Sequence, residues 1–170
     1  FWSPDNQIFY YTDAREGVPD GGGGICWDRP LWRLHVDEGK PERHGDIWAR
    51  SGSGDRLAIA QEGEDMVVET LGGERISGVS VPPGLEVCEI IWSPDGEAFV
   101  YLRTQDPFRS NTWALICVEA ETGASTVTYE LDDAAWVSMT WDSQAGVVLS
   151  GVRDAERETW TVERPCAGTQ

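Results

Sequence analysis

Lysine is almost missing from this sequence. Lys40 is the one lysine among 170 residues, and the 13 basic residues stand against 30 acidic ones, giving a net charge of −17. An electrostatic field of that sign repels the phosphates of nucleic acids and the headgroups of anionic lipids. The composition therefore argues against nucleic acid as a partner.

Long hydrophobic runs are missing too. No stretch of about 18 apolar residues occurs, which argues against a membrane-spanning helix. An initiator methionine is also missing, and Phe1-Trp2 is typical of the middle of a protein, so we expect a mature product or a fragment. Hydrophobic residues still make up 40% of the chain and include nine tryptophans, enough for one domain with a core.

Paired cysteines of the zinc-binding kind are absent. Four cysteines lie far apart, with no C-x-x-C pair, so a zinc site is poorly supported: Cys26, Cys88, Cys117 and Cys166. An even number of cysteines permits disulfides in an oxidising compartment, and buried free thiols fit the pattern equally well. The sequence leaves both alternatives open.

A hydrolase nucleophile is likewise missing from the pattern. The turn of a serine hydrolase needs Gly-x-Ser-x-Gly, and the nearest stretch, "SGSGD" at 51–55, begins with serine. A metal or base site built from His44, Asp46 and Asp37 is conceivable, although an exposed polar face fits these residues better. We therefore predict no catalytic residue and no enzyme activity in this chain.

Helical periodicity is missing as well, and the pattern of short apolar segments found in its place indicates the fold class. No segment longer than about ten residues has apolar residues at helical spacing. The apolar segments are instead short, rich in β-branched or aromatic residues, and bounded by Gly, Pro or Asp, as in "QIFYY", "RLAIA", "EAFVYLR" and "TWALICV". The sequence predicts an all-β protein.

These strands recur in groups. Equivalent positions at Trp2, Arg50, Trp92 and Trp141 each precede a short turn and a strand, at spacings of 48, 42 and 49 residues. A repeat of about 40 to 50 residues with four strands indicates a β-propeller blade. We predict one partial propeller of about four blades, with units at 1–47, 48–90, 91–137 and 138–170.

The motif "WSPDG" leading into a strand resembles the TolB-type propeller repeat, a relative of WD-repeats. The resemblance implies that the motif joins the innermost strand of a blade to the second strand. It covers nearly the whole chain, with good copies at 2–6 and 92–96 and degenerate copies at 50–54 and 141–145. The resemblance also implies a scaffolding role, often in an extracytoplasmic compartment.

Each residue of the motif has a structural reason to be there. Pro94 presets a turn angle, Ser93 and Asp95 can accept hydrogen bonds from turn amides, and Gly96 tolerates a positive φ. We therefore interpret the motif as a structural corner and not as a catalytic site. The corner residues are Trp2, Ser3, Pro4, Asp5, Trp92, Ser93, Pro94, Asp95, Gly96 and Trp141.

The strand count predicts an incomplete ring. We count about 14 strands, whereas four complete blades need 16. Three explanations stay open: the remainder of a longer propeller, completion of the ring by another chain, or an open form with capped edges. An unpaired edge strand invites the addition of another strand, so some covering is expected.

Two loops contain the candidate binding residues. The segment 12–30 carries four successive glycines, and Asp13, Asp20 and Asp28 could supply oxygen ligands to calcium. The regular D-x-D-x-D spacing is missing, so we predict no cofactor and keep calcium as a weaker alternative. Candidate exposed anchors for a protein or a glycan are Trp27 in this loop, and Phe108 and Arg109 in the loop 104–111. A Trp27 side chain folded back over its blade is the alternative, and the composition of the loop fits it better.

Our leading hypothesis for function is a non-catalytic interaction module that binds a protein through its loops or an open blade edge. One alternative is the gating propeller of a prolyl-oligopeptidase-type hydrolase, whose catalytic domain lies elsewhere. A further alternative is a carbohydrate-binding propeller that uses exposed aromatic residues.

Overall fold

The computed structural model describes residues 1–12, 30–61, 65–105, 112–142 and 145–166, and this part of the chain is entirely β-structure and turns. No helix able to cross a membrane is found among these residues. The strands are β1 Ile8–Thr12, β2 Leu31–His35, β3 Pro41–Gly45, β4 Ile47–Arg50, β5 Arg56–Ala60, β6 Met66–Thr70, β7 Arg75–Val79, β8 Glu86–Trp92, β9 Ala98–Thr104, β10 Trp113–Glu119, β11 Ser125–Leu131, β12 Ala135–Asp142, β13 Gly146–Arg153 and β14 Glu156–Val162.

The fourteen strands form four antiparallel sheets, each made of strands consecutive in the chain, which we call blades. Blade 1 contains β1–β3, blade 2 contains β4–β7, blade 3 contains β8–β11 and blade 4 contains β12–β14. Strands of this kind pair antiparallel with their sequence neighbours, most of them across short turns and β1–β2 and β9–β10 across longer connections. The all-β prediction is confirmed.

The hydrophobic core lies between neighbouring blades. Blades 1 and 2 enclose Ile8, Tyr10, Leu57 and Ile59, and blades 2 and 3 enclose a cluster that includes Ala58, Met66, Phe99 and Ile116. A third cluster, with Val100, Leu115, Val137 and Leu149, joins blades 3 and 4. Successive side chains of a strand point to opposite faces of the sheet. Blades 2 and 3, which have a neighbour on each side, therefore contribute side chains to two clusters each.

The blades stack through their inner strands, and the ring is not closed. Strand β8 contacts β4 on one side and β12 on the other. Blade 1 has only the stub Phe1-Trp2 at its inner position, where Trp2 forms an isolated bridge with Phe9 and the Tyr10 amide donates to the Phe1 carbonyl at 2.8 Å. Blades 1 and 4 therefore have three strands each in the described part of the chain, as the strand count predicted.

A disulfide ties the end of blade 4 to blade 3. Cys117 on β10 is bonded to Cys166, 49 residues later in the chain, and Cys88 is also disulfide-bonded. The alternative of buried free thiols is therefore wrong. The sequence could not select this pair, because only the stacking of the blades brings the tail beside β10.

Candidate functional site

The Ser-Pro-Asp corners of blades 1 and 3 have the same hydrogen bonds. In blade 3 the Ser93 hydroxyl donates to Asp95 Oδ1 at 2.5 Å, and the Glu97 amide donates to the same oxygen at 3.0 Å. In blade 1 the Ser3 hydroxyl donates to Asp5 Oδ1 at 2.6 Å, and the Gln7 amide follows at 3.0 Å. In each corner, one oxygen of the aspartate carboxylate thus accepts both hydrogen bonds and closes the turn.

The residue after each aspartate has a left-handed backbone. Gly96 has a φ of 74° and Asn6 a φ of 58°. Glycine and asparagine are the residues that adopt this conformation at low cost. The conformation turns the chain directly from the inner strand into the second strand of the blade.

Blade 2 builds the same corner with different residues. Ser51 takes the place of Ser93, and Ser53 stands where the corners of blades 1 and 3 have aspartate. The carboxylate comes from Asp55 instead, two residues further on, whose Oδ1 accepts hydrogen bonds from Ser51 at 3.0 Å and from Ser53 at 2.5 Å. The sequence comparison aligned this corner correctly but missed Asp55. The sign that could have revealed Asp55 is Ser53, because a serine at the motif's aspartate position calls for a carboxylate from a neighbouring residue.

These hydrogen bonds lower the pKa of all three carboxyl groups. The Ser3 hydroxyl lowers the pKa of Asp5, the Ser53 hydroxyl lowers that of Asp55, and the Ser93 hydroxyl lowers that of Asp95, each helped by further donors. Donors that bind the charged form stabilise it relative to the neutral form. Carboxylates held in this way are poor proton donors at neutral pH, which suits a structural role.

Blade 4 keeps only part of the corner. Asp142 follows Trp141 where the other blades have serine, and its Oδ1 accepts a hydrogen bond from the Ala145 amide at 2.8 Å. The aspartate therefore replaces the serine as an acceptor for a turn amide.

A groove runs along the face of the molecule where the corners lie. Its volume is about 710 Å³, and it extends from the blade 1 corner across blade 2 to Glu121 in the β10–β11 turn of blade 3. Arg56 Nη2 crosses it to reach Glu121 Oε1 at 2.5 Å. The charged residues that line the groove are Asp5, Asp55, Arg56, Glu74, Arg75 and Glu121. The groove therefore presents charges of both signs.

A titratable pair lies between blades 1 and 2. His44 Nε2 on β3 lies 2.5 Å from Glu69 Oε1 on β6, and the Glu69 side chain is only 6% exposed. Burial and the nearby Glu69 raise the pKa of Tyr10, whose hydroxyl donates to the Leu71 carbonyl at 3.2 Å. The interpretation of His44 as part of an exposed polar face is therefore wrong, because neighbouring strands enclose it. Asp46 pairs with Arg43.

The predicted loop sites fall outside the described residues. The calcium candidates Asp13, Asp20 and Asp28 and the anchor Trp27 lie in the segment 13–29, and Phe108 and Arg109 lie in 106–111. In the ranges that the structure describes, no group of three or more His, Cys, Asp or Glu side chains is arranged to hold a metal ion.

Strand β14 forms the outer side of blade 4. In blade 3 the third strand, β10, pairs with β11, whereas no fourth strand pairs with β14 among the described residues. An edge strand such as Glu156–Val162, with no partner strand among the described residues, can accept the addition of another strand. This edge and the corner-face groove are the two candidate binding surfaces.

No protein-family model matches the chain, and no curated protein matches it. Solved structures do match. An oligogalacturonate lyase in complex with manganese aligns at a TM-score of 0.56 and 14% identity, covering 95% of this chain and 48% of that one. Prolyl oligopeptidase B from Galerina marginata aligns at a TM-score of 0.57 and 12% identity, covering 96% of this chain and 26% of that one.

Dipeptidyl peptidase 4 from Porphyromonas gingivalis aligns at a TM-score of 0.56 and 8% identity, covering 97% of this chain and 31% of that one. The chain thus spans about half the length of the lyase and between a quarter and a third of the two peptidases. At these identities the likeness concerns the fold alone. The fold is that of a β-propeller, with four blades and an open ring.

Proposed function

We propose that this chain is a non-catalytic interaction module built from TolB-type blades, and that it binds an extended segment of a protein partner along β14. The outer edge of β14, for which the described part of the chain holds no partner strand, carries the proposal. A strand added there would complete blade 4 in the way that β11 completes blade 3. The module needs no cofactor for this, because main-chain hydrogen bonds supply the affinity.

The charge and the disulfide are consistent with this role. A net charge of −17 favours neutral or basic partner segments over acidic ones. Disulfides such as Cys117–Cys166 persist mainly in oxidising compartments, which supports a periplasmic, secreted or surface location. The location is part of the proposal.

The chain contains a suitable probe for the edge. A synthetic peptide of residues 123–131 with capped ends and Glu130→Lys carries the sequence of β11, the strand that pairs with β10 in blade 3, without the acidic charge that the chain would repel. We expect this peptide to bind the whole chain saturably in a fluorescence anisotropy titration. Hydrogen exchange of the amides in Glu156–Val162 should slow on binding.

Two N-methylated peptides provide the control. In the first peptide the backbone amides of every second residue are methylated, and in the second peptide the amides of the remaining residues are methylated. Because a strand uses every second amide toward its neighbour, only one of the two patterns should abolish binding. Equal binding of both methylated peptides, or no saturable binding of the unmodified peptide, would show that β14 does not accept a strand.

The likeness to two peptidases favours a second candidate, a propeller that gates the catalytic domain of a prolyl-oligopeptidase-type hydrolase. Those peptidases are three to four times as long as the aligned part, so each has another large region. The test is to read the gene beyond the codon for Gln170. A downstream domain containing Gly-x-Ser-x-Gly supports this candidate, and an unrelated downstream sequence or a stop codon rejects it.

A further inference from the structure

Blade 1 has an aromatic face that points away from blade 2. Ile8 and Tyr10 are buried against blade 2, so the alternate residues Phe9 and Tyr11 lie on the opposite face of the same strand. The antiparallel register places further residues on that face, opposite or bridged to them: Trp2, Trp32 and Leu34. Trp2 is 49% exposed.

Blade 3 carries the same pattern at equivalent positions. The corners align Trp2 with Trp92, Phe9 with Phe99 and Tyr11 with Tyr101. The strand registers then align Trp32 with Ile116, which is opposite Tyr101, and Leu34 with Val118, which is opposite Phe99. Even the ring geometry agrees, because the Trp2–Phe9 centroids are 4.8 Å apart and the Trp92–Phe99 centroids 5.1 Å.

In blade 3 this face is covered by the preceding blade. Trp92 is 7% exposed, Phe99 0% and Tyr101 1%. They pack in one cluster with residues of blade 2 that are small or aliphatic: Ala49, Ala58, Ala60, Met66 and Val68. The Trp92 indole N–H also donates to the Ala49 carbonyl at 3.0 Å. Large rings on one blade thus fill the space above alanines on the other.

We propose that the aromatic face of blade 1 is a docking surface for a further propeller blade of the same polypeptide, one that presents small side chains as blade 2 does. The equivalence with the buried face of blade 3 carries this inference. It goes beyond the proposed function, because it concerns a different surface, and it completes the stack on the side opposite blade 4.

Blade 4 of a second copy is not the occupant. Its outward face has hydroxyl residues where blade 3 has apolar ones: Thr140 for Ile91, Ser150 for Leu102, Thr159 for Leu115 and Thr161 for Cys117. All four are exposed. A polar outer face ends a stack of repeats, as in capping repeats. Two copies of the chain would also pack poorly through their blade 1 aromatic faces, because each face presents rings where the other needs small side chains such as alanine.

A fusion that supplies the missing blade tests the proposal. Residues 47–91, with Cys88→Ser in the added copy, are joined directly to Trp2, replacing Phe1. The added segment provides the blade 2 face and a complete inner strand in the register of blade 3. Hydroxyl-radical oxidation of Trp2 and Trp92 is then compared by mass spectrometry within one molecule. We expect oxidation of Trp2 to fall to the level of Trp92.

The matched control is the same fusion with Ala58→Arg and Ala60→Arg in the added copy only. These long charged side chains should restore the fast oxidation of Trp2. A fusion with the circular-dichroism signal of added β-structure but fast oxidation of Trp2 overturns the proposal. The proposal is also overturned if the unextended chain is a dimer in which Trp2 is protected from oxidation, or if an oligosaccharide protects Trp2 from oxidation.

A second measurement decides the matter if the fusion does not fold. In the unextended chain, Tyr101→Ser should lower the melting temperature by roughly 10 °C, because it opens a packed interface. Tyr11→Ser should lower the melting temperature by only about 2–4 °C, since none of the four described blades covers that face. An equal loss in both variants means that the face is already covered, and the inference is wrong.

The outcomes of the two proposals are distinguishable. Binding of the β11 peptide at β14 together with fast oxidation of Trp2 in a folded fusion retains the proposed function and rejects this inference. Protection of Trp2 from oxidation in the fusion without binding of the β11 peptide rejects the proposed function and retains this inference.

Discussion

Blades 1 and 3 have nearly the same sequence pattern but different surroundings. Phe99 is fully buried because blade 2 covers its face, whereas the equivalent Phe9 lies on the outward face and is only half-buried. The corners of the two blades nevertheless have the same hydrogen bonds. The local sequence thus determines the shape of a blade, and the neighbouring blade determines how much that shape contributes to stability.

The largest contrast should come from the two phenylalanines. Phe99→Ala removes a ring from a packed interface and should reduce the free energy of unfolding by about 3–5 kcal/mol. Phe9→Ala should cost only about 1 kcal/mol, because much less apolar area is exposed by its removal. Urea denaturation followed by circular dichroism measures both values. Equal losses would mean that the two faces have equal surroundings.

The disulfide sharpens the comparison, because only blade 3 has one on its third strand. Arg33 occupies the position in blade 1 that Cys117 occupies in blade 3. Replacing both Cys117 and Cys166 by alanine should reduce the free energy of unfolding by about 2–4 kcal/mol, since the unfolded chain gains freedom. The double variant, compared with the unmodified chain by urea denaturation under non-reducing conditions, measures the effect. A change below the error of the method would indicate that the tail is not held to β10.

The corner serines should behave alike in both blades. Ser3 and Ser93 are buried, and each accepts a hydrogen bond from an amide five residues later, at 2.9 and 3.1 Å. Ser93→Ala and Ser3→Ala should each cost about 1–3 kcal/mol, because an amide and a carboxylate lose their partner. Thermal unfolding of the two variants checks this, and the exposed Ser125→Ala is the control. A large cost in one blade alone would contradict the view that the corner is a local unit.

The smallest effect concerns acid stability. The folded pKa of Asp95 is lowered first by the Ser93 hydroxyl and then by the Glu97 amide, and that of Asp5 is lowered by Ser3 and Gln7. A lowered pKa contributes stability above the unfolded value of about 4, which is lost as the pH falls through the folded pKa. Asp95→Asn and Asp5→Asn should therefore reduce stability at pH 7 and flatten its loss below about pH 4. Unchanged acid unfolding curves would contradict this assignment.

The sequence predicted the strands and the open ring because these depend on local patterns. Alternation, β-branched residues and the Ser-Pro-Asp motif act within one blade, and they recur at 2–6 and 92–96. The aromatic face of blade 1 could also have been found in this way, because Phe9 and Tyr11 repeat Phe99 and Tyr101.

Contacts between blades could not be predicted in the same way. His44 pairs with Glu69, and Cys117 with Cys166, only because the stacking brings distant strands together. Asp55 was missed since its carboxylate reaches back to Ser51 and Ser53 from outside the motif. For His44 and Cys117 the partner lies beyond the window in which a sequence pattern is informative, whereas Asp55 lies within that window but outside the five positions of the motif.

The most direct test of an open stack of repeated blades is the oxidation rate of Trp2 relative to Trp92 in the unextended 170-residue chain. The two residues start equivalent corners, but Trp2 is 49% exposed and Trp92 7%. We predict that hydroxyl radicals oxidise Trp2 much faster than Trp92 in the native chain and at similar rates after unfolding in urea. Equal protection of both residues in the native monomer would contradict the account.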